Sequence, residues 1–409
     1  MKKTLVLKKN HLKNIIYFAV MPLFSLPFII NDILKNKKYA YILLALFFAL
    51  LAYIMVPYET MDIVRHYERF DKLKNISILD YEVKDLYFFL EYNIIIIQNL
   101  GLPKEFLSFV YIFTIYYLTL NIIYVIRKDN LNYQVNKSFL LHIFFLFFLV
   151  SQIRLIGYSS GLRTGLANAI MLYGVFNLYY LSNNLKGWLL VCFAPVIHIS
   201  LILIIPLVII TRYFKFDFFY RLLFYFSVII LVTGIGTNIL LLFIDFLSPI
   251  MNASQNILIQ AYIYGEWGIG YWDNITSSAY IYERFLKPLP IYILMFYFLL
   301  IKRKSKFRNL IYVLFFIVAF FVEFRTLIDR YGDILIQISL LLLFMELQAK
   351  SLTKIKYYIL YMLFISFIFI DIAGLRVYRS VLFPSWSQVL YLPSVGYLVS
   401  PASKSEYIK

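Results

Sequence analysis

Long apolar runs recur along this chain, and most of them end on lysine or arginine. That pattern leaves few folds open. Inside hydrocarbon every backbone N–H and C=O must find a partner within the protein, so only helices and closed barrels cross a bilayer. A barrel needs alternating strands of about ten residues, and the runs here are continuous. The chain is 62% hydrophobic and 15% charged, too apolar for a soluble domain of 409 residues. The expected fold is an all-α polytopic membrane protein, with residues 1–409 forming a single transmembrane domain. A net charge of +17 would point to nucleic acid in a soluble protein. Here the lysines and arginines cluster in short loops and hold them in the cytoplasm. The lipid bilayer is thus an expected partner and nucleic acid is not.

The N-terminal MKKTLVLKKNHLKN is basic, but no small-residue cleavage site follows, so it does not read as a removed signal peptide. Residues 15–30 are apolar, short and interrupted by two prolines, with lysines on both sides, which suits a re-entrant or interfacial segment. Residues 39–56 read as a span running outward. The stretch PYETMDIVRHYERFDKL, 57–73, is charged. If helical, it places Asp62, Arg65 and Arg69 on one face. Residues 82–100, with Asp85, Glu91, Asn93, Gln98 and Asn99, are too polar for a lipid-facing span and read as an outer juxtamembrane amphipathic helix. Gly101 and Pro103 end it.

Spans are expected over 106–126, 138–153 and 164–181, with a tight turn at Gly157–Gly161 between the last two. Residues 187–211 break the inside–outside alternation, because Lys186 precedes them and Arg212, Lys215 and Arg221 follow. Two half-helices meeting near His198 satisfy both flanks, and such breaks are tolerated where they line a cavity. Further spans are expected over 222–245, 286–301, 309–324, 334–348 and 357–372. The runs amount to about ten to twelve transmembrane helices. Outer loops cover roughly 57–105 and 246–284, and residues 373–409 form a tail with Arg376 and Arg379. The motif KRKSKFR after the 286–301 run is the strongest cytoplasmic marker.

With that topology Asp62, Arg65, Arg69, Arg154, Arg163, Glu266, Arg284, Arg325, Asp329, Arg330 and Asp333 all fall at the outer face. Topology explains cytoplasmic arginines but not outer ones. Guanidinium pairs bidentately with phosphate oxygens and stays charged at any relevant pH. Arg325/Asp329 and Arg330/Asp333 have the spacing of simple intrahelical pairs. Arg154 and Arg163 have no acid nearby in sequence. The loop 246–284 carries Glu266, Trp267 and Trp272, a mixture suited to sugar, whose apolar faces stack while carboxylates take hydroxyls. His198 sits beside proline and serine in an interrupted run and is a candidate general base. His66 is a weaker one, and His11 and His142 read as ordinary residues. Cys192 stands alone, without a disulfide framework. No Walker A, GxGxxG, HExxH or GxSxG motif and no clustered metal ligands are present. No cofactor or metal is expected.

Three stretches resemble a known family. TMDIVRHYERF resembles the D-x-x-R-Y-Y type element of the Wzy/EpsG-type polysaccharide polymerases, with His66 in place of the first aromatic. SGLRTGLANAI followed by IHIS is similar to that family's R-x-x-x-A element and its H-x-S, and LIDRYGDILIQ to its late R-Y element. The resemblance implies a GT-C-like glycosyltransferase of the bacterial inner membrane, working at the periplasmic face on undecaprenyl-pyrophosphate-linked repeat units of O-antigen, capsule or exopolysaccharide. It implies a chain-length regulator and a flippase as partners. In that picture Arg154 and Arg163, helped by Arg65, Arg284 and Arg330, stabilise the pyrophosphate leaving group, and Asp62 or His198 takes the acceptor proton. The rival reading is a flippase of the same lipid-linked glycan.

Overall fold

The computed structural model describes residues 12–59, 61–74, 76–83, 87–129, 146–147, 150–252, 256–257, 259–273, 275–300, 305–348, 354–382 and 392–399. His11, Asp85, His142, most of the 138–153 run and the start of KRKSKFR lie outside the described residues. Among the described residues every regular element is helical and no strand occurs. Packing divides the chain into two compact units: residues 1–201 with 374–409, and residues 202–373.

Unit 1 begins with α1 (12–20) and α2 (Pro22–Leu34). They meet at Met21 because Pro22 has no N–H to continue the first helix. α3 (Lys38–Tyr53), α4 (Asp62–Lys72), α5 (Phe88–Asn99) and α6 (Glu105–Asp129) follow. Then come the short α7 (Leu155–Ser160), α8 (Leu162–Tyr179) and α9 (Asn184–Ile197). α6 packs on α3 and α8, and α8 packs on α9. Asn121 of α6 donates to the Tyr173 hydroxyl of α8 at 3.1 Å. At the far end of α6 the buried Arg127 donates to the Leu34 carbonyl at 2.7 Å, to Ile33 O and to the Tyr41 hydroxyl at 2.9 Å. This cation caps the negative end of α2, where it is electrostatically favoured. The N-terminal ends of α6 and α8 are thereby left on the side of α4, α5 and α7.

One expectation for this unit changes in form. Residues 155–160 make a helical turn, closed by Tyr158 N–H to Arg154 O at 3.0 Å and Gly161 N–H to Gly157 O at 2.9 Å, where a tight non-helical turn was expected. Within the charged stretch after α3, Asp62–Lys72 takes the helical form that places Asp62, Arg65 and Arg69 on one face. The break at His198 is as expected: α9 stops, His198 is extended (φ −146°, ψ 108°), and a 3-10 segment Ile199–Leu203 follows.

Unit 2 contains α10 (Ile204–Tyr213), α11 (Asp217–Thr233), α12 (Ile235–Leu247), α13 (Ser277–Ile281), α14 (Leu289–Leu300), α15 (Lys306–Phe321) and α16 (Arg325–Gln348). α17 (Lys354–Leu382) closes the sequence of this unit, and α18 (Ser394–Val399) returns to unit 1, where the Tyr53 hydroxyl donates to Leu398 O at 3.0 Å. α15 is central, with α10, α11, α12 and α16 packed on it. Arg308 is fully buried on α15 and bonds Glu346 of α16 at 2.7 and 2.9 Å, while Tyr297 of α14 donates to the same carboxylate at 2.6 Å. The three helices are pinned at that end.

The run expected as one straight span over 222–245 is bent by 96° between α11 and α12. The hinge is Gly234 at φ 68°, the left-handed region that glycine enters at least cost. α12 and the 3-10 turn Ser248–Ile250 after it show an exposed stripe of Ile239, Leu242, Phe243, Phe246 and Ile250. Its other side, Leu240, Leu241 and Ile244, packs with Ile263, Ile269 and Phe324. By length and composition, Glu105–Asp129 and Lys356–Ala373 are each sufficient to cross a bilayer, and the bent pair makes a third if counted as one span. Other apolar helices are shorter, because the runs are divided at Met21, His198 and Gly234.

Candidate functional site

Unit 1 gathers a cluster of positive charge where α4, α5 and α8 converge. Tyr87 stands at the start of α5. Its ring centre lies 3.6 Å from the Arg163 guanidinium and 3.8 Å from that of Arg69. The two cations are therefore no farther apart than the sum of those distances. Like charges so close repel, and the ring's negative face offsets part of that. The two arginines differ in what balances them. Arg69 also pairs with Glu91, which in turn accepts from the Tyr81 hydroxyl. Arg163 has no carboxylate partner among the described residues. It occupies the first turn of α8, the positive end of the helix dipole, which disfavours a cation by about 0.3–1 kcal/mol.

His66, on α4, is buried beneath this charge with its Nδ1 unpartnered. Burial, then Arg163, Arg69 and Arg65, push its pKa down to about 3, so the ring is neutral under physiological conditions. Asp62 and Arg65 sit on the exposed side of α4 and pair at 3.0 Å. The Asp62 N–H donates to Ser160 Oγ at 3.1 Å, which ties α4 to α7. Arg154 starts α7 in the left-handed region, φ 33° and ψ 83°, a conformation that costs a non-glycine residue about 1–3 kcal/mol. His198 ends α9. Its Nδ1 accepts from the Ser200 N–H at 3.3 Å and lies 2.7 Å from Ser200 Oγ. That pattern puts the imidazole proton on Nε2.

The loop of unit 2 between α12 and α14 is built from short turns: a π-helical Gln260–Tyr264, a 3-10 Ile269–Asp273, α13, and a second π-helical Tyr282–Leu286. Two sets of ion pairs fix it, the pair Arg284–Glu323 and a closed ring of Lys287 and Arg325 with Glu283 and Asp329. Arg284 bonds Glu323 at 2.6 Å and lies over Trp272 and Tyr280, 5.4 Å from each ring centre. Lys287 bridges Glu283 at 2.9 Å and Asp329 at 2.6 Å. Arg325 bridges the same two carboxylates. The Trp272 Nε1 donates to Glu323 O at 2.7 Å, so this indole is committed to Glu323. Trp267 is 47% exposed and Glu266 is exposed beside it. Tyr264 donates to Asp245, a bond that pushes its phenol up to about 12.

A family model described as the EpsG family matches residues 58–380. The chain belongs to the EpsG family. That membership makes it a polysaccharide polymerase of glycosyltransferase-like kind, acting in a membrane on lipid-linked oligosaccharide. No curated protein and no solved structure matches it.

In this EpsG-family chain the matched region contains both clusters. The sequence pointed to Arg65, Arg154, Arg163 and Asp62, which lie on neighbouring elements of unit 1. It gave no sign of Tyr87, which holds Arg69 and Arg163 together. It placed Arg284 among pyrophosphate ligands, and the structure shows that side chain engaged by Glu323. A signal for the pairing existed in Glu91: a carboxylate in an otherwise apolar helix needs a cation, and Arg69 supplies it.

Proposed function

We propose that this EpsG-family chain extends a polysaccharide by joining undecaprenyl-pyrophosphate-linked repeat units at the periplasmic face of the bacterial inner membrane. Its ten to twelve spans then form a GT-C-like frame, working beside a flippase and a chain-length regulator. The acceptor hydroxyl loses its proton to a carboxylate, its oxygen bonds the anomeric carbon, and the C–O bond to pyrophosphate breaks with the electron pair going to the leaving group. Arg163 is the principal ligand of that developing charge, with Arg69, Arg154 and Arg65 adding to the field. Donors set in place before charge develops lower the barrier most. Asp62 is the better placed proton acceptor, since its carboxylate is exposed beside the arginines, whereas the His198 Nδ1 is already engaged by Ser200.

The observation that carries this reading is Arg163, stacked on Tyr87 beside a second guanidinium and lacking a carboxylate of its own. The test is glycan length, resolved by gel, in a deletion strain complemented with wild type or Arg163→Ala. Single repeat units exported but not joined are expected for the deletion and the variant. Repeat units that never reach the outer face would make the protein a flippase. Long chains in the variant at normal protein level would remove Arg163 from the site.

A further inference from the structure

Four cations stand at the loop end of unit 2 among the described residues: Arg284, Lys287, Arg325 and Arg330. The first three are matched by Glu323, Glu283 and Asp329. Arg330 has no carboxylate partner among the described residues. Its guanidinium lies 5.3 Å from the centre of the Tyr262 ring. The Tyr262 ring is in turn 5.1 Å from that of Trp267.

Trp267 is an exposed indole on a fixed backbone. Its carbonyl accepts from both the N–H and the hydroxyl of Thr326, at 3.1 and 2.7 Å. The next residue, Gly268, runs so close to the π-helical turn that a Cβ there would lie 2.2 Å from the Ile263 carbonyl oxygen. The backbone beneath the indole is therefore held on both sides. Brought together, then, are an exposed indole against a half-buried tyrosine and an uncompensated guanidinium, with the exposed, unpaired carboxylate of Glu266 next to the indole in sequence.

We propose that Tyr262, Trp267 and Arg330 form a subsite for a sugar that carries a carboxylate, with Glu266 accepting from its hydroxyls. This rests on the polymerase reading and adds the substrate class. The C–H face of a pyranose ring packs on Trp267, an apolar contact for which the backbone beneath the indole needs no ordering. The carboxylate meets the Arg330 fork, whose planar geometry takes both oxygens. A neutral sugar would leave that guanidinium unmatched.

The test uses the full chain in detergent micelles and saturation-transfer NMR. The probes are methyl glucuronide, N-acetylneuraminic acid and neutral methyl glucoside. At least one carboxylated probe is expected to bind on the order of ten-fold more tightly than the glucoside, the scale of one charge-assisted contact. Arg330→Gln should bring it down to the glucoside's level, and Trp267→Ala should weaken all three. Arg330→Lys, which keeps the charge and loses the fork, should fall between. Thermal unfolding at the wild-type temperature shows that each variant is folded. Equal binding of acidic and neutral probes overturns the subsite, as does discrimination that survives in Arg330→Gln. If that happens while chain length still depends on Arg163, only the subsite falls. If chain length ignores Arg163, the polymerase site falls instead.

Discussion

The Arg69/Arg163 cluster of unit 1 and the ion pairs of unit 2 hold their cations in opposite ways, with Arg330 of unit 2 standing apart as an unmatched guanidinium. In unit 2 the cations Arg284, Lys287 and Arg325 are paired with Glu283, Glu323 and Asp329, each charge answered by its opposite. In unit 1 Arg69 and Arg163 share one tyrosine ring, and only Arg69 has a carboxylate. Matched ion pairs order a loop and then have little charge left to offer a ligand. An unmatched pair leaves a positive field standing, at a cost in stability that a bound anion would recover. Arginine count alone does not separate these roles. The nearest counter-charge does.

The contrast can be broken most sharply at Arg163. Arg163→Ala should lower the rate of repeat joining by about 100-fold or more, the scale of losing a preorganised charge-stabilising donor. Arg163→Lys should recover little, because ammonium has neither the fork nor the stacking plane. Lipid-linked glycan synthesis in membranes measures both, and near-wild-type rates in the lysine variant would erase the distinction drawn between the units.

The next effect is on stability and lies in unit 2, at the ends of α15 and α16 away from its loop. Glu346→Gln leaves the buried Arg308 with half its partner and should cost about 3–5 kcal/mol in thermal or denaturant unfolding. The double variant Arg308→Met/Glu346→Leu should lose less than the single one. Equal losses would mean that the pair is valued for something beyond mutual neutralisation.

His66 gives a third, pH-dependent test. Its proton affinity is lower folded than unfolded, so the unfolded chain binds more protons between about pH 6.5 and 3. Stability should therefore rise with pH through that window and fall on acidification, by about 2 kcal/mol at about pH 5. His66→Phe should flatten this part of the profile. A wild-type profile already flat there would show that neither burial nor the arginine field lowers the ring's proton affinity. Smallest of all, Tyr264→Phe removes one bond to Asp245 and should cost about 1 kcal/mol in unfolding.

Local features were legible in the sequence. The i, i+4 pair of Arg325 with Asp329 forms and Asp62 and Arg65 share one face of α4, whereas Arg330 forms no ion pair with Asp333, its expected i, i+3 partner, among the described residues. The break at His198 followed from basic residues on both sides of a run too short for two crossings. Contacts between distant segments were not legible. Tyr87 is one of 37 tyrosines, and nothing local marks it as the ring that holds Arg69 and Arg163. Arg284 and Glu323 lie 39 residues apart. Arg308 closes the basic run KRKSKFR, where charge reads as a topological marker, yet its side chain is fully buried. Gly234 sits within an apolar run where one glycine is ordinarily tolerated, and the sequence does not show that it adopts a positive φ.

That hinge has a mechanical consequence. If α11 alone crosses the bilayer, the 96° turn lays α12 close to the plane of the membrane. Its apolar stripe, from Ile239 to Ile250, then rests on the acyl chains, while Leu240, Leu241 and Ile244 carry the loop that bears Ile263 and Ile269. Such a helix works as a float. In that geometry the lipid surface would set the height of the aromatic loop, and a thicker or thinner leaflet would raise or lower the loop relative to a crossing helix.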